Sequence, residues 1–187
     1  MPSILSHPAL PLAIGLSLGS GLVSTRLLVA GVVASILPDA DVIAFHFGIP
    51  YGSALGHRGL SHSIAFALIV GLSGAWASRA LHAKAWTAFA FLFVATVSHG
   101  VLDSLTDGGQ GIAFLWPLSA ERFFAPFRVI EVSPIGVSRF LSARGVTVLV
   151  SEMTWVWLPC AGLAAALWAM RRRVMTSGQA ASVARRP

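Results

Sequence analysis

The chain has 187 residues, of which 56% are hydrophobic and only 11% charged, and its mean hydropathy is +0.78. That balance excludes a typical soluble enzyme, whose elements each need a polar face, and it excludes disordered and collagen-like chains. The net charge of +6 sits at particular depths of the sequence and forms no basic stripe, so direct nucleic-acid binding is not expected.

The long uncharged runs predict an all-α fold, a polytopic membrane bundle of about five helices, at about 8–24, 25–37, 62–79, 85–105 and 147–170. At a rise of about 1.5 Å per residue, a run of about 18 residues covers roughly 27 Å, nearly a bilayer core. The run from Leu27 to Pro38 is short by itself, so it is extended back past Arg26, whose long side chain can reach the interface. It ends at Leu37-Pro38, because the residue before a proline disfavours helix. No basic region precedes the first helix, which is therefore expected to stay attached. A polar, aromatic-rich connection at 106–145 comes before the last helix; Phe114, Trp116, Phe123, Phe124 and Phe127 alternate there with Arg122 and Arg128, as in an interfacial lid or an aromatic belt. Residues 1–173 are read as one membrane-embedded domain and 174–187 as a disordered basic tail.

Following the chain through these spans puts Arg26, Arg79, Lys84 and Arg171 to Arg173, with Arg185 and Arg186, on one side, and Arg58, Arg122, Arg128, Arg139 and Arg144 on the other. The positive-inside rule makes the first side, with the C-terminus, cytoplasmic. His7, Asp39, Asp41, His57, His62, His99, Asp103 and Asp107 then gather on the opposite face.

These residues carry the chemistry. His7 opens the first span, as a ligand or as a plain interfacial residue. In Leu37-Pro38-Asp39-Ala40-Asp41 two acids alternate where a helix breaks; in extended chain they point opposite ways, so one of them would be a direct ligand unless the turn curls around the ion. Asp39 could instead cap a following turn. His57 and His62 lie in Gly56-His57-Arg58-Gly59-Leu60-Ser61-His62-Ser63, and on a continuous helix they would diverge by about 140°; they converge only if His57 sits in a preceding turn. Gly56 and Gly59 permit that turn, with Ser61 as the helix cap. Arg58 can offer its guanidinium to a phosphate or to a carboxylate ligand, or simply pair with Asp41 or Glu131. His99 and Asp103, at i and i+4, put an imidazole and a carboxylate on one helical face, as metal ligands or as a hydrogen bond between helices. Ionisable groups inside a membrane usually face a functional interior, which favours the first reading. His46 and His82 lack partners and are read as structural, Glu121 and Glu131 are not distinguished as bases, and Glu152 lies near the same face as a supporting partner.

His7, His57, His62, His99, Asp39, Asp41 and Asp103 together exceed what one tetrahedral zinc requires, so one or two divalent ions are expected. The lone Cys160 rules out a thiolate zinc site. Asp41, Arg58 and Asp107 are the candidate catalytic groups around the ion.

The 57–63 motif, Leu37-Pro38-Asp39-Ala40-Asp41 and Ser98-His99-Gly100-Val101-Leu102-Asp103-Ser104-Leu105-Thr106, followed by Phe114-Leu115-Trp116-Pro117 and Arg122-Phe123-Phe124-Ala125-Pro126, together resemble the signatures of the YdjM/YbcI-type family of inner-membrane metal-dependent hydrolases. More remotely they are similar to the all-helical zinc-dependent phospholipase C fold. The resemblance covers most of residues 7–136 and implies a multi-pass bacterial inner-membrane protein with a divalent-metal site at His57, His62, His99 and Asp103, with Asp39 or Asp41 next. Ser61 stands where the family often has threonine. The expected activity is hydrolysis of a phosphoester, lipid or lipid-linked, by a metal-activated water. The alternatives are a metal carrier or sensor without catalysis, and a regulatory membrane anchor for a cytoplasmic protein partner, as the repressor-binding label of some relatives implies.

Overall fold

A computed structural model describes residues 1–183. Its helices are α1 (Ala9–Leu18), α2 (Thr25–Ile36), α3 (Ile64–Trp76), α4 (Ala85–Ser104), α5 (Val137–Phe140), α6 (Ala143–Glu152) and α7 (Leu158–Val183), and the described residues contain no strand, only isolated bridges in the connection before α5. Three stretches are long and apolar enough to cross a membrane: Thr25–Phe47, Ala85–Ser104 and Ala143–Val174. The expected all-helical bundle is present, but α1 and α3, with 10 and 13 residues, are shorter than the spans read at 8–24 and 62–79. Of the tail placed at 174–187, helix continues to Val183, and residues 184–187 lie outside the described residues.

Local chemistry explains the boundaries. Ser24 caps α2 by accepting the Leu27 N–H at 3.1 Å, and Ser63 caps α3 by accepting the Phe66 N–H at 3.1 Å. The cap of α3 is thus Ser63 and not Ser61, because the 3₁₀ turn Leu60–His62 delays the helix by one turn. After α2 the chain does not become extended at the acids. Leu37–Phe47 tightens into a 3₁₀-helix with Pro38 in its first turn, where the missing N–H costs nothing. Gly48, at φ 70°, ends it.

Helix α4 is the centre of the bundle, packed against α3 and α2, while α1 lies against α7. Close approach at Gly31 makes the α2–α4 contact: a Cβ there would overlap the Phe91 ring. Val23, Leu27, Ala34, Ala88, Phe91, Leu92 and Ala95 form the apolar core between these helices. On the outside, large apolar side chains such as Leu16, Val33, Ile69, Leu72 and Val150 are exposed, as a lipid-facing surface requires. The start of α1, the end of α2, the start of α3 and the end of α4 share one end of the bundle, where His7, Asp39, His62 and His99 meet. Bases mark the other end: Arg26 donates to the Ala80 carbonyl at 3.2 Å and Arg171 to the Ser17 carbonyl at 3.4 Å.

Candidate metal centre

Four elements deliver the site. His7 precedes α1, Asp39 follows α2, His62 ends the 3₁₀ turn before α3, and His99 and Asp103 occupy the last turns of α4. All five are buried, at most 6% exposed. Ligand atoms of Asp39, His62, His99 and Asp103 lie within 4.8 Å of one another, a group that could hold a metal ion. His7 stacks on His99 with ring centroids 3.7 Å apart and brings its Nε2 to 3.7 Å from Asp39 and 3.8 Å from Asp103. The residue with the weakest sequence signal is therefore within the cluster.

Hydrogen bonds on the far side of the His62 and His99 rings decide which nitrogen faces inward. His99 Nδ1 lies 2.7 Å from the Ser35 carbonyl, which can only accept, so Nδ1 carries the proton and Nε2 presents its lone pair. At His62, Nδ1 lies 2.9 Å from Ser61 Oγ, and that hydroxyl donates to Asp41 Oδ2 at 2.6 Å; Asp41 Oδ2 itself is 3.2 Å from Nδ1. The His62 Nε2 thus also turns inward, 3.0 Å from the His99 Nε2. Two imidazole lone pairs repel at that distance unless a proton or a cation lies between them. A proton is one solution: burial lowers the His62 pKa, but its hydrogen bonds to Asp103 and Asp41 outweigh this and raise it to about 9. It leaves much unanswered, because both oxygens of Asp39, Asp103 Oδ1 and both nitrogens of His7 are buried without a hydrogen-bond partner, Asp103 Oδ2 being taken by the Arg58 Nε at 3.1 Å. Such orphans cost about 1–3 kcal/mol each. Burial, with the neighbouring His99, holds His7 down to about 3, so it is a neutral imidazole able to donate a lone pair. Two to three imidazoles and two carboxylates with free lone pairs fit a divalent ion bound by nitrogen and oxygen.

Asp41 faces elsewhere. In a 3₁₀-helix residues two apart point about 120° away from each other, and the acid takes His57 Nδ1 at 2.6 Å, Ser61 Oγ at 2.6 Å and the Arg58 N–H at 3.2 Å. Asp41, His57 and His62 form a second group that could hold an ion, but the Asp41 oxygens are already used by these donors. His57 therefore stands behind His62, its ring edge-on at 5.5 Å between centroids.

Arg58 is wholly buried and pairs with neither Asp41 nor Glu131 through its guanidinium. Its Nε is 3.1 Å from Asp103 Oδ2, while its amino groups donate to the Gly108 carbonyl at 2.9 Å and Thr106 Oγ1 at 3.1 Å. Its backbone sits at φ 64°, a left-handed conformation costly for a side-chain-bearing residue and kept by the two hydrogen bonds its peptide groups make, to Asp41 and from Ala113. Glu131 pairs with Arg144 at 2.6 Å on the surface. Asp107 is exposed, and its Oδ1 takes the Val132 N–H at 2.8 Å, so it is not brought to the cluster. Glu152 reaches the N-terminal segment: its carboxylate accepts from Ser3 N, from Ser3 Oγ at 2.6 Å and from Ser6 Oγ at 2.7 Å, one residue before His7.

The connection after α4 covers the site. Ala113 N–H bonds the Arg58 carbonyl, Ile64 N–H bonds Phe114 and Ala125 N–H bonds Ser104, while Arg122 donates to the carbonyls of His57, Tyr51 and Ser53. Gly100 makes room for it: a Cβ there would lie 3.0 Å from the Phe114 ring and 3.2 Å from the His62 carbonyl.

The sequence pattern of the family described as YdjM inner membrane protein matches residues 1–175. The chain belongs to the YdjM family. It is 47% identical over 173 residues to the inner membrane protein YbcI of Escherichia coli strain K12, covering 92% of this chain and all of that protein. This YdjM-family chain is therefore an inner-membrane protein with a buried histidine and aspartate cluster at one end of its bundle. No solved structure matches it.

Sequence reasoning overlooked two contributors. The Ser35 carbonyl, which orients His99, is 64 residues away and has no side-chain signature. The relay role of Ser61 was hidden because a serine before an apolar helix reads first as a cap.

Proposed function

We propose that this protein is a membrane-bound metal-dependent hydrolase in which Asp39, His62, His99 and Asp103, joined by His7, hold one zinc ion, and that it acts on a phosphoester carried by a lipid. The observation that supports this best is the unpartnered oxygens of Asp39 and the Oδ1 of Asp103 around two inward-facing Nε2 atoms. When bound there, a divalent ion acts as the Lewis acid that activates water near neutral pH.

The residues of the chain do the rest. Ser61 and Asp41 fix the tautomer of His62, and the Ser35 carbonyl fixes that of His99, the outer contacts that ligating histidines ordinarily need. Asp41 is thus a positioning residue and not a ligand. Arg58 aims Asp103, its Nε lying 3.1 Å from Oδ2, and two carboxylates facing one guanidinium suit a divalent cation. His57 supports Asp41. Asp107 has no part in the reaction. Burial under the 106–131 connection keeps bulk water from the cluster. In the membrane, the cluster end faces away from the cytoplasm and the C-terminus lies inside, in keeping with the bases at the opposite end.

A carrier would need a second station along the bundle, yet residues 63–78 and 153–170 carry no charge. The test is purification in detergent, metal analysis and a screen of phosphomonoesters, phosphodiesters and phospholipids with wild type and His99→Ala. Stoichiometric zinc and turnover, both lost in His99→Ala, are expected. A wild type that retains no divalent metal under chelator-free conditions refutes the centre, and metal without turnover transfers the reading to a sensor or carrier.

A further inference from the structure

A cleft of about 420 Å³ opens beside the cluster, lined by the N-terminal segment, the 3₁₀-helix and the stretch from Ser133 to Phe140. That volume falls in the range of small-ligand sites, roughly 300–1,000 Å³. Its walls are Ile4, Leu5, Val42, Ile135, Val137 and Phe140, and its one acidic lining residue is Asp39, whose other face is the candidate centre and whose neighbour in the lining is the Met1 α-amino group. The cleft is a built feature: Ser133 N–H bonds the Met1 carbonyl at 2.9 Å, joining two of its walls, and Glu152 ties down Ser3.

An occupant must satisfy both ends of this cleft. Ile4, Leu5 and Ile135 are 54%, 55% and 47% exposed, so the chain leaves a cluster of aliphatic surface that hydrocarbon covers favourably. At the inner end, a carboxylate repels an anion unless a divalent cation lies between them, and the candidate centre is where such a cation would lie. An amphiphile with an anionic head and an apolar tail matches both ends. A neutral hydrocarbon leaves the Asp39 end unused, and a soluble phosphate leaves the walls unused.

We propose that this cleft binds the hydrocarbon chain of a lipid-borne phosphoester, with the phosphate directed to the Asp39 end, so that the substrate enters sideways from the bilayer. The inference rests on the hydrolase reading of the centre. It is tested on the full-length, zinc-loaded protein in detergent with dodecyl phosphate bearing a terminal diazirine, followed by light and peptide mapping. Adducts are expected on residues 1–5 or 133–140 and should be competed away by excess dodecyl phosphate. Ile4→Trp and Ile135→Trp fill the cleft from opposite walls; each should lower labelling about fivefold or more, the scale of losing one or two buried methylenes, with zinc content unchanged. Labelling spread over the lipid-facing helices, labelling indifferent to both tryptophans, or adducts between two protein chains would overturn the proposal. Cleft labelling without turnover of any phosphoester upholds the cleft and removes the hydrolase reading, whereas turnover with scattered labelling does the reverse.

Discussion

His62 and His99 are each oriented by a partner on the outer side, so the outer partners and the inner acids should respond differently to mutation. Asp103→Asn removes a charge from the proposed ligand set and should abolish retention of zinc through gel filtration. Asp41→Asn leaves the inner groups in place while weakening the Ser61–His62 relay; zinc affinity should fall about 10–100-fold, measured by competition with a chromophoric chelator. If Asp41→Asn instead abolishes binding as Asp103→Asn does, Asp41 is a ligand and the second histidine group, with His57, holds the ion.

The elements meet the site through a few close contacts, and these predict where the bundle is brittle. Helix α6 ends at Glu152, just before the π-helical turn Met153–Trp157, and this buried acid holds Ser3 and Ser6 while Trp157 Nε1 donates to Ser6 Oγ at 3.1 Å. Glu152→Gln weakens charge-assisted hydrogen bonds and should cost about 1.5–3 kcal/mol, with the N-terminal segment becoming the first site cut in limited proteolysis. Gly100→Ala should press Phe114 and the His62 backbone apart, costing about 1–3 kcal/mol; the readout is a lower melting temperature together with reduced zinc retention. A Gly100→Ala protein that melts lower but holds zinc as tightly would show that the covering connection does not shape the centre.

At the scale of the whole molecule, the candidate cluster is contributed by four helix ends, so under the proposed reading folding and metal binding are linked. An ion that binds only the folded state stabilises it by about 2.7 kcal/mol at a hundredfold excess over Kd, so EDTA should lower the melting temperature of the wild type and leave that of His99→Ala unchanged. The antiparallel arrangement also ties the site to one membrane face. C-terminal reporter fusions should be active with a cytoplasmic reporter and silent with a periplasmic one, and the opposite result would place the cluster on the cytoplasmic side.

Much of this was legible from residues alone. Sparse charge in an apolar chain marked the helices, and it marked His62, His99, Asp39 and Asp103 as costly groups with a reason to be buried. Hydropathy and spacing act locally, so they determined the helical class, the approximate spans and the shared end of the bundle. The division between ligand-like and outer residues was decided only by the tertiary structure. Asp39 and Asp41 differ by two positions, and the 3₁₀ winding of Leu37–Phe47 sends one to the cluster and the other to Ser61 and His57. Arg58 found Asp103 because the 106–111 turn folds back over it, and His7 joined His99 because Glu152, distant in sequence, holds the N-terminal segment in place. These pairings depend on which surfaces meet across the bundle, and that is a property of packing among distant segments that no local pattern carries.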